Sequence, residues 1–166
     1  MKELEVFFDY ACPYCHRAHV YLTELISNYP DIHIVWRPCE SHPRPDRYGA
    51  HSDLCIQGYF YALEHGVDLL RYHDRIFKAA LKDRIDIEDI DILCEFVKDL
   101  VNVEEFRLAL KQGIYQNTLK EANDYAFERN GVWVVPAYRM EGRKIDAVEN
   151  IGLTKQQIQL FLQGEE

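Results

Sequence analysis

Phe8-Asp9-Tyr10-Ala11-Cys12-Pro13-Tyr14-Cys15 is the stretch on which the reading of this chain turns. Ahead of its turn, Leu4 to Phe8 is a short apolar run of bulky and β-branched residues, bounded as a buried strand is. Asp9-Tyr10-Ala11 turns the chain. Pro13 then stands where a first helical residue is favoured, because its missing N–H has no intrahelical partner to lose. Beyond it Cys15, Ala18, Leu22, Leu25, Ile26 and Tyr29 recur at helical spacing until Pro30. Ile32, Ile34 and Trp36 alternate with His33, Val35 and Arg37 in a second strand that Pro38 ends. The two cysteines therefore fall at a strand-to-helix junction inside a strand–helix–strand unit.

That junction decides their chemistry. A thiol attacks a disulfide only as its thiolate. Cys12, at or beside the N-cap, meets unpaired backbone N–H groups and the positive end of the helix dipole, which favour the anion. Cys15 lies one turn further in, on the buried stripe. The spacing predicts Cys12 as the exposed nucleophile and Cys15 as the resolving thiol, with Pro13 and Tyr14 supporting them. Cys-x-x-Cys is also a zinc spacing, but a closed site needs two more ligands. Cys39, Cys55 and Cys94 form no second close pair, and one helix carrying His16 and His19 cannot wrap an ion tetrahedrally. No metal is expected.

Outward from this unit, Cys39 to Gly49 reads as a loop around Pro43 and Pro45. Residues 49–129 then keep a helical period. One stripe runs through Leu69, Leu70, His73, Ile76, Phe77, Ala80 and Leu81, and another through Ile87, Ile90, Leu93, Cys94, Val97 and Val101. Asn102 with Glu105 resembles a capping box, and Gly131 is placed to end the last of these helices in a left-handed cap. Val132-Trp133-Val134-Val135 reads as a strand stopped by Pro136. Ala137–Met140 and Arg143–Ile145 flank Glu141-Gly142 as a hairpin, and Thr154 with Gln157 caps a final amphipathic helix. The order is βαβ, a helical block, then ββα. Without the block this is the minimal thioredoxin arrangement, so the expected fold is α/β and thioredoxin-like. Its domain spans residues 1–48 and 130–166, with an all-helical insertion at 49–129.

The totals agree with one such domain. Of 166 residues, 48% are hydrophobic and 28% charged, as in ordinary globular chains. A net charge of −9 argues against a partner held through phosphates, so no nucleic acid is expected. No stretch approaches the roughly 20 apolar residues of a membrane span. The opening Met1-Lys2-Glu3-Leu4-Glu5 has no leader-like apolar segment, which gives the expectation of a cytoplasmic protein without a membrane partner. Five cysteines, an odd number, fit a reducing compartment better than a secreted disulfide framework.

Three motifs carry a family resemblance along the whole chain. Phe8 to Cys15 resembles the active-site segment of DsbA-like thioredoxin-fold oxidoreductases, especially their FrnE-like branch. Val35-Trp36-Arg37-Pro38 resembles that branch's second strand, and Gly131-Val132-Trp133-Val134-Val135-Pro136 its cis-proline segment. The resemblance implies a cis Val135–Pro136 bond packed against the cysteine pair. It further implies that the Val135 backbone pairs with bound substrate and that Pro136 hinders metal capture. Pro13-Tyr14 departs towards the glutaredoxin dipeptide, and Cys39 replaces a usual aromatic residue. Asp146-Ala147-Val148-Glu149-Asn150 lacks the glycine pattern expected there.

Other residues admit two readings. Asp9 serves as a proton relay for Cys15 or as a turn residue bonding local backbone. His16 and His19 perturb the thiols or lie on the helix surface. Cys39 and Cys55 form a second redox pair or are buried separately, and Tyr59-Phe60-Tyr61 line a groove or fill core. The leading functional expectation is a disulfide oxidoreductase acting on substrate proteins or low-molecular-weight thiols. It needs no cofactor beyond the Cys12–Cys15 disulfide, with glutathione as a possible co-substrate. A glutathione-dependent isomerase or transferase, resembling the kappa-class and chromene-carboxylate enzymes, is the alternative, although those relatives carry serine at the position of Cys12. A redox-inactive binding module or chaperone is the third reading.

Overall fold

In the computed structural model, β1 (Lys2–Phe8) pairs in parallel with β2 (Ile32–Pro38), Lys2 opposite Ile32 and Phe8 opposite Pro38. A parallel pair needs a crossover, and α1 (Pro13–Leu25), continued by a 3-10 turn at Ile26–Asn28, supplies it. β3 (Ala137–Met140) then runs antiparallel to β1, and β4 (Arg143–Asp146) antiparallel to β3, giving the order β2-β1-β3-β4. Glu141 and Gly142 between them have φ of 53° and 74°, the left-handed pair that a two-residue hairpin of this twist requires. The structure describes residues 1–47 and 49–165.

Helices fill the chain between β2 and β3: α2 (Asp53–Glu64), α3 (Leu69–Phe77), α4 (Ile90–Val97), α5 (Val103–Gln112) and α6 (Gln116–Asp124). Single π-helical turns extend α3 through Lys78–Lys82 and α6 through Tyr125–Arg129. Local signals set several ends. Asn102 accepts the Glu105 N–H at the start of α5, and Gly131 has φ +62° after the turn that follows α6. Both bonds of the Thr154–Gln157 capping box start α7 (Lys155–Gln163). This is the expected thioredoxin-like α/β fold with its helical insertion.

The core joins both parts of the molecule. Leu4 from β1 and Leu22 from α1, and Ile56, Ile76 and Leu93 from the inserted helices, are 0% exposed within one apolar cluster. Each such side chain contributes about 1.5–3 kcal/mol on burial. Tyr59 and Tyr61 belong to this cluster and are core, while Leu70, expected on the buried stripe, faces solvent.

The expected strand at Val132–Val135 does not form. That run is β-branched and apolar, but no neighbouring strand offers it a ladder, and its side chains divide between inside and outside. Val132 is buried in a second cluster with Phe7, Cys39, Ala126 and Ala137, and its N–H donates to the Ala126 carbonyl. Trp133 is 90% exposed. The strand begins only after Pro136, at Ala137. No helix among the described residues is long and apolar enough to cross a membrane.

Candidate active site

Cys12 is the N-cap residue of α1, with φ −99° and ψ 115°, and Pro13 follows as the first helical residue. The extended cap conformation turns the Cys12 side chain back over the first turn, where its Sγ accepts the Cys15 N–H at 3.3 Å. On its other side Sγ lies 3.9 Å from the Val135 carbonyl oxygen. Hydrogen bonding from the Cys15 thiol is the largest influence on Cys12 and holds its pKa below the ordinary thiol value. Backbone N–H groups of Cys15 and Tyr14 act in the same sense, against burial and the Asp9 charge. The helix terminus therefore acts together with a donor that spacing alone does not reveal.

Cys15 is 2% exposed, and burial pushes its pKa well above the ordinary value. The Asp9 backbone N–H approaches its Sγ at 3.5 Å. Two identical groups in one turn are thus driven apart, one towards the anion and one towards the thiol.

Asp9 is 2% exposed, and backbone groups occupy both carboxylate oxygens. Oδ1 accepts from Ala11 N–H at 3.0 Å, and Oδ2 from Ser41 N–H at 2.7 Å. It fixes the turn before Cys12, ties it to the loop after β2, and reaches the thiols through its charge, which raises both. Tyr14 donates its hydroxyl to the Asn150 carbonyl at 2.8 Å. Gly152, at φ +83°, lets that loop seat against α1, since a Cβ there would come within 2.7 Å of Arg17 and 2.9 Å of Tyr14. The Val135–Pro136 bond is cis, and the Pro136 carbonyl accepts the Ala147 N–H at 2.9 Å.

These parts surround a cleft of about 340 Å³ whose walls include Asp9, Cys12, Tyr14, Trp133, Val135 and Glu149. The anticipated residues Cys12, Pro13, Tyr14, Asp9 and Val135 all meet there. Cys15 and Pro136 lie behind it, beside a second, much smaller cavity. Trp133, Ser41 and Asn150 were not anticipated; Trp133 was hidden inside the run read as a strand, and Ser41 and Asn150 carry no local signal.

The remaining candidates are displaced from the cleft or sealed. His19 is 6% exposed rather than on the surface, since it shares the inward face of α1 with Cys15 and Leu22. Cys39 and Cys55 are both 0% exposed and fall in different apolar clusters. Cys94 is likewise buried, and all five thiols are free.

Comparison with known proteins places this geometry. In overall structure the chain resembles the probable DsbA oxidoreductase SCO1869 of Streptomyces coelicolor, with a TM-score of 0.80 at 15% identity, covering 100% of this chain and 92% of that one. It resembles Pseudomonas aeruginosa DsbA with a TM-score of 0.72 at 20% identity, covering 99% and 81% respectively. In sequence it is 23% identical over 171 residues to the uncharacterized protein YwbO of Bacillus subtilis (strain 168), spanning 81% of this chain and 84% of that protein. At these identities the structures speak for the fold alone. The family model for the DSBA-like thioredoxin domain matches residues 3–159, nearly the whole chain with its thiol pair, its helical insertion and its proline segment. The chain belongs to the DSBA-like thioredoxin domain family.

Proposed function

We propose that this chain exchanges disulfides with protein substrates, Cys12 attacking and Cys15 resolving. The observation that carries the reading is the placement of the two thiols, Cys12 at the N-cap of α1 accepting the Cys15 N–H at 3.3 Å and Cys15 sealed one turn further in, which favours the anion at the first and the thiol at the second. In the reducing direction the Cys12 thiolate attacks one sulfur of a substrate disulfide, and the other substrate sulfur leaves as a thiolate. Cys15 then attacks Cys12 Sγ, the Cys12–Cys15 bond forms, and the second substrate thiolate is released. Two electrons pass to the substrate, and the reverse sequence oxidises a dithiol. The Val135 carbonyl beside Cys12 offers an acceptor to the backbone of a bound peptide, and Pro136 fixes its direction.

Protein substrates are favoured over glutathione by the cleft itself. Among the described residues lining it are Asp9 and Glu149 and no lysine or arginine, a poor setting for an anionic tripeptide. Trp133, 90% exposed, and Val148, 54% exposed, give the rim an apolar surface suited to an unfolded chain. A glutathione-dependent isomerase is correspondingly disfavoured, and the differently placed thiols, one capping α1 and one sealed behind it, disfavour a redox-inactive binding module. Membership of the FrnE-like branch belongs to the same proposal and rests on the sequence motifs, and a cytoplasmic setting belongs to it on the odd number of cysteines.

Trapping tests the roles. Cys15→Ser should accumulate a mixed disulfide with protein substrate, released by dithiothreitol. Cys12→Ser should trap almost nothing and lose disulfide-reductase activity. The opposite pattern would reverse the assignment, and wild-type activity in both variants would remove the pair from catalysis.

A further inference from the structure

Cys15 must lose a proton before it can attack the mixed disulfide, because only the thiolate is nucleophilic. Solvent barely reaches it. Behind it lies a cavity of about 10 Å³, close to the room one water needs. Its walls include Cys15, His19, Trp36, Phe77, Pro136 and Tyr138. The Tyr138 hydroxyl is buried there without a hydrogen-bond partner among the described residues.

His19 follows Cys15 by four residues in α1, a spacing that makes their side chains neighbours on one helix face. Its Nε2 lies 2.9 Å from Oδ1 of Asp74 on α3. A carboxylate only accepts, so Nε2 carries the hydrogen of the neutral ring and Nδ1 keeps a lone pair. The Asp74 side chain is 70% exposed and joins this buried ring to solvent. The other titratable groups around His19 are Cys15 and His16 on its own helix, His73 on α3 at 5.8 Å between ring centroids, and Tyr138 of β3 across the cavity. The rings of Trp36 and Phe77 complete the enclosure without charge. Burial outweighs Asp74 and keeps the imidazole below its usual pKa, so the neutral ring prevails at pH 7.

We propose that His19, oriented by Asp74, accepts the Cys15 proton across this cavity. The role rests on the exchange reaction proposed above. As Cys15 gives its proton to Nδ1, its sulfur attacks Cys12 Sγ. The intramolecular disulfide forms and the substrate departs as a thiolate. The imidazolium, held beside Asp74, returns its proton to solvent at that exposed rim. In the opposite direction the imidazolium protonates the Cys15 thiolate as substrate attack on Cys12 expels it.

Single-turnover reaction of the reduced protein with Ellman's disulfide separates the steps. Attack by Cys12 releases the first nitrothiobenzoate, and resolution by Cys15 releases the second. His19→Gln keeps a donor for Asp74 but no base. It should slow the second phase at pH 7 by at least about tenfold, below the usual range for a full acid–base role, and leave the first within about twofold. The deficit should close as pH rises towards ionisation of Cys15 without help. Asp74→Asn should show the same pH signature more weakly. A purely structural role would instead slow both phases at every pH. A wild-type second phase and pH profile in His19→Gln would overturn the proposal. If that variant does not fold, an unchanged profile in Asp74→Asn, an exposed position, overturns it equally. A wild-type protein that never releases the second nitrothiobenzoate would sink the exchange reading itself, a result distinct from either.

Discussion

The cleft in front of α1 and the interior behind it hold chemically identical thiols and treat them in opposite ways. Cys12, half-buried at the N-cap, is surrounded by donors: the Cys15 N–H at 3.3 Å, the Tyr14 N–H and the Cys15 thiol itself. Cys15, one turn on, meets Ala18, Leu22, Trp36 and Phe77, and a charge there has little to solvate it. Three residues of helix are enough to carry a side chain from one medium to the other, because a turn of α-helix advances about 5.4 Å. The asymmetry that the exchange reaction needs is thus a property of backbone geometry and burial rather than of the residue type.

Selective alkylation puts the largest strain on this contrast. Reduced protein treated with iodoacetamide at pH 7 should be modified at Cys12 at least about a hundredfold faster than at Cys15, since each unit of pKa above the ambient pH costs a tenfold loss of thiolate. Peptide mapping of early time points reads the ratio. The midpoint of the Cys12 rate against pH should fall below the ordinary thiol value. Comparable labelling of both cysteines would erase the distinction between the two media.

How much of this contrast is legible in the sequence depends on range. The Cys12 cap, the Glu141-Gly142 turn and the Thr154–Gln157 box are decided within four residues, and short patterns reveal them. The inward face of α1 was legible as a stripe through Cys15, Ala18 and Leu22. Four-residue spacing from Cys15 was the available signal for His19, which its polarity concealed. What closes the site comes from far along the chain: His73 bonds Tyr10 across 63 positions, and Val135 meets Cys12 across 123. Val132–Val135 failed as a strand for the same reason, because a ladder partner is a tertiary fact. Trp133 is apolar by type and solvent-facing by position, and no local pattern distinguishes that from core.

A smaller effect should sharpen the comparison from the side of charge. Asp9 raises both thiols, the first three residues beyond it and the second six. Asp9→Asn removes the charge while keeping one carbonyl acceptor for Ala11 or Ser41. The thiolate of Cys12 is then less opposed, so its midpoint falls and the dithiol form gains on the disulfide. The couple becomes more oxidising, by about 30 mV for each pKa unit that the Cys12 midpoint falls. Thiolate absorbance against pH and equilibration with glutathione buffers measure the two shifts. The cost in stability is about 1 kcal/mol, for the backbone N–H that loses its carboxylate oxygen. A midpoint that rises or stays fixed would show that the Asp9 charge does not reach the cleft.

The smallest expected change separates the cleft's surface from its chemistry. Trp133 is 90% exposed beside Cys12, so Trp133→Ala removes little packing and should alter stability by no more than about 0.5 kcal/mol. If the apolar rim holds an unfolded chain, exchange with a scrambled protein substrate should slow by about threefold to tenfold, the worth of roughly 0.7–1.4 kcal/mol of contact. The first nitrothiobenzoate release from Ellman's disulfide, which needs only Cys12, should stay within about twofold, for the variant leaves every donor to that thiol in place. Measuring both rates on one preparation makes the difference internal. Equal slowing with both substrates would mean that Trp133 shapes the thiol environment itself, and no slowing with either would leave the protein-substrate reading without its surface.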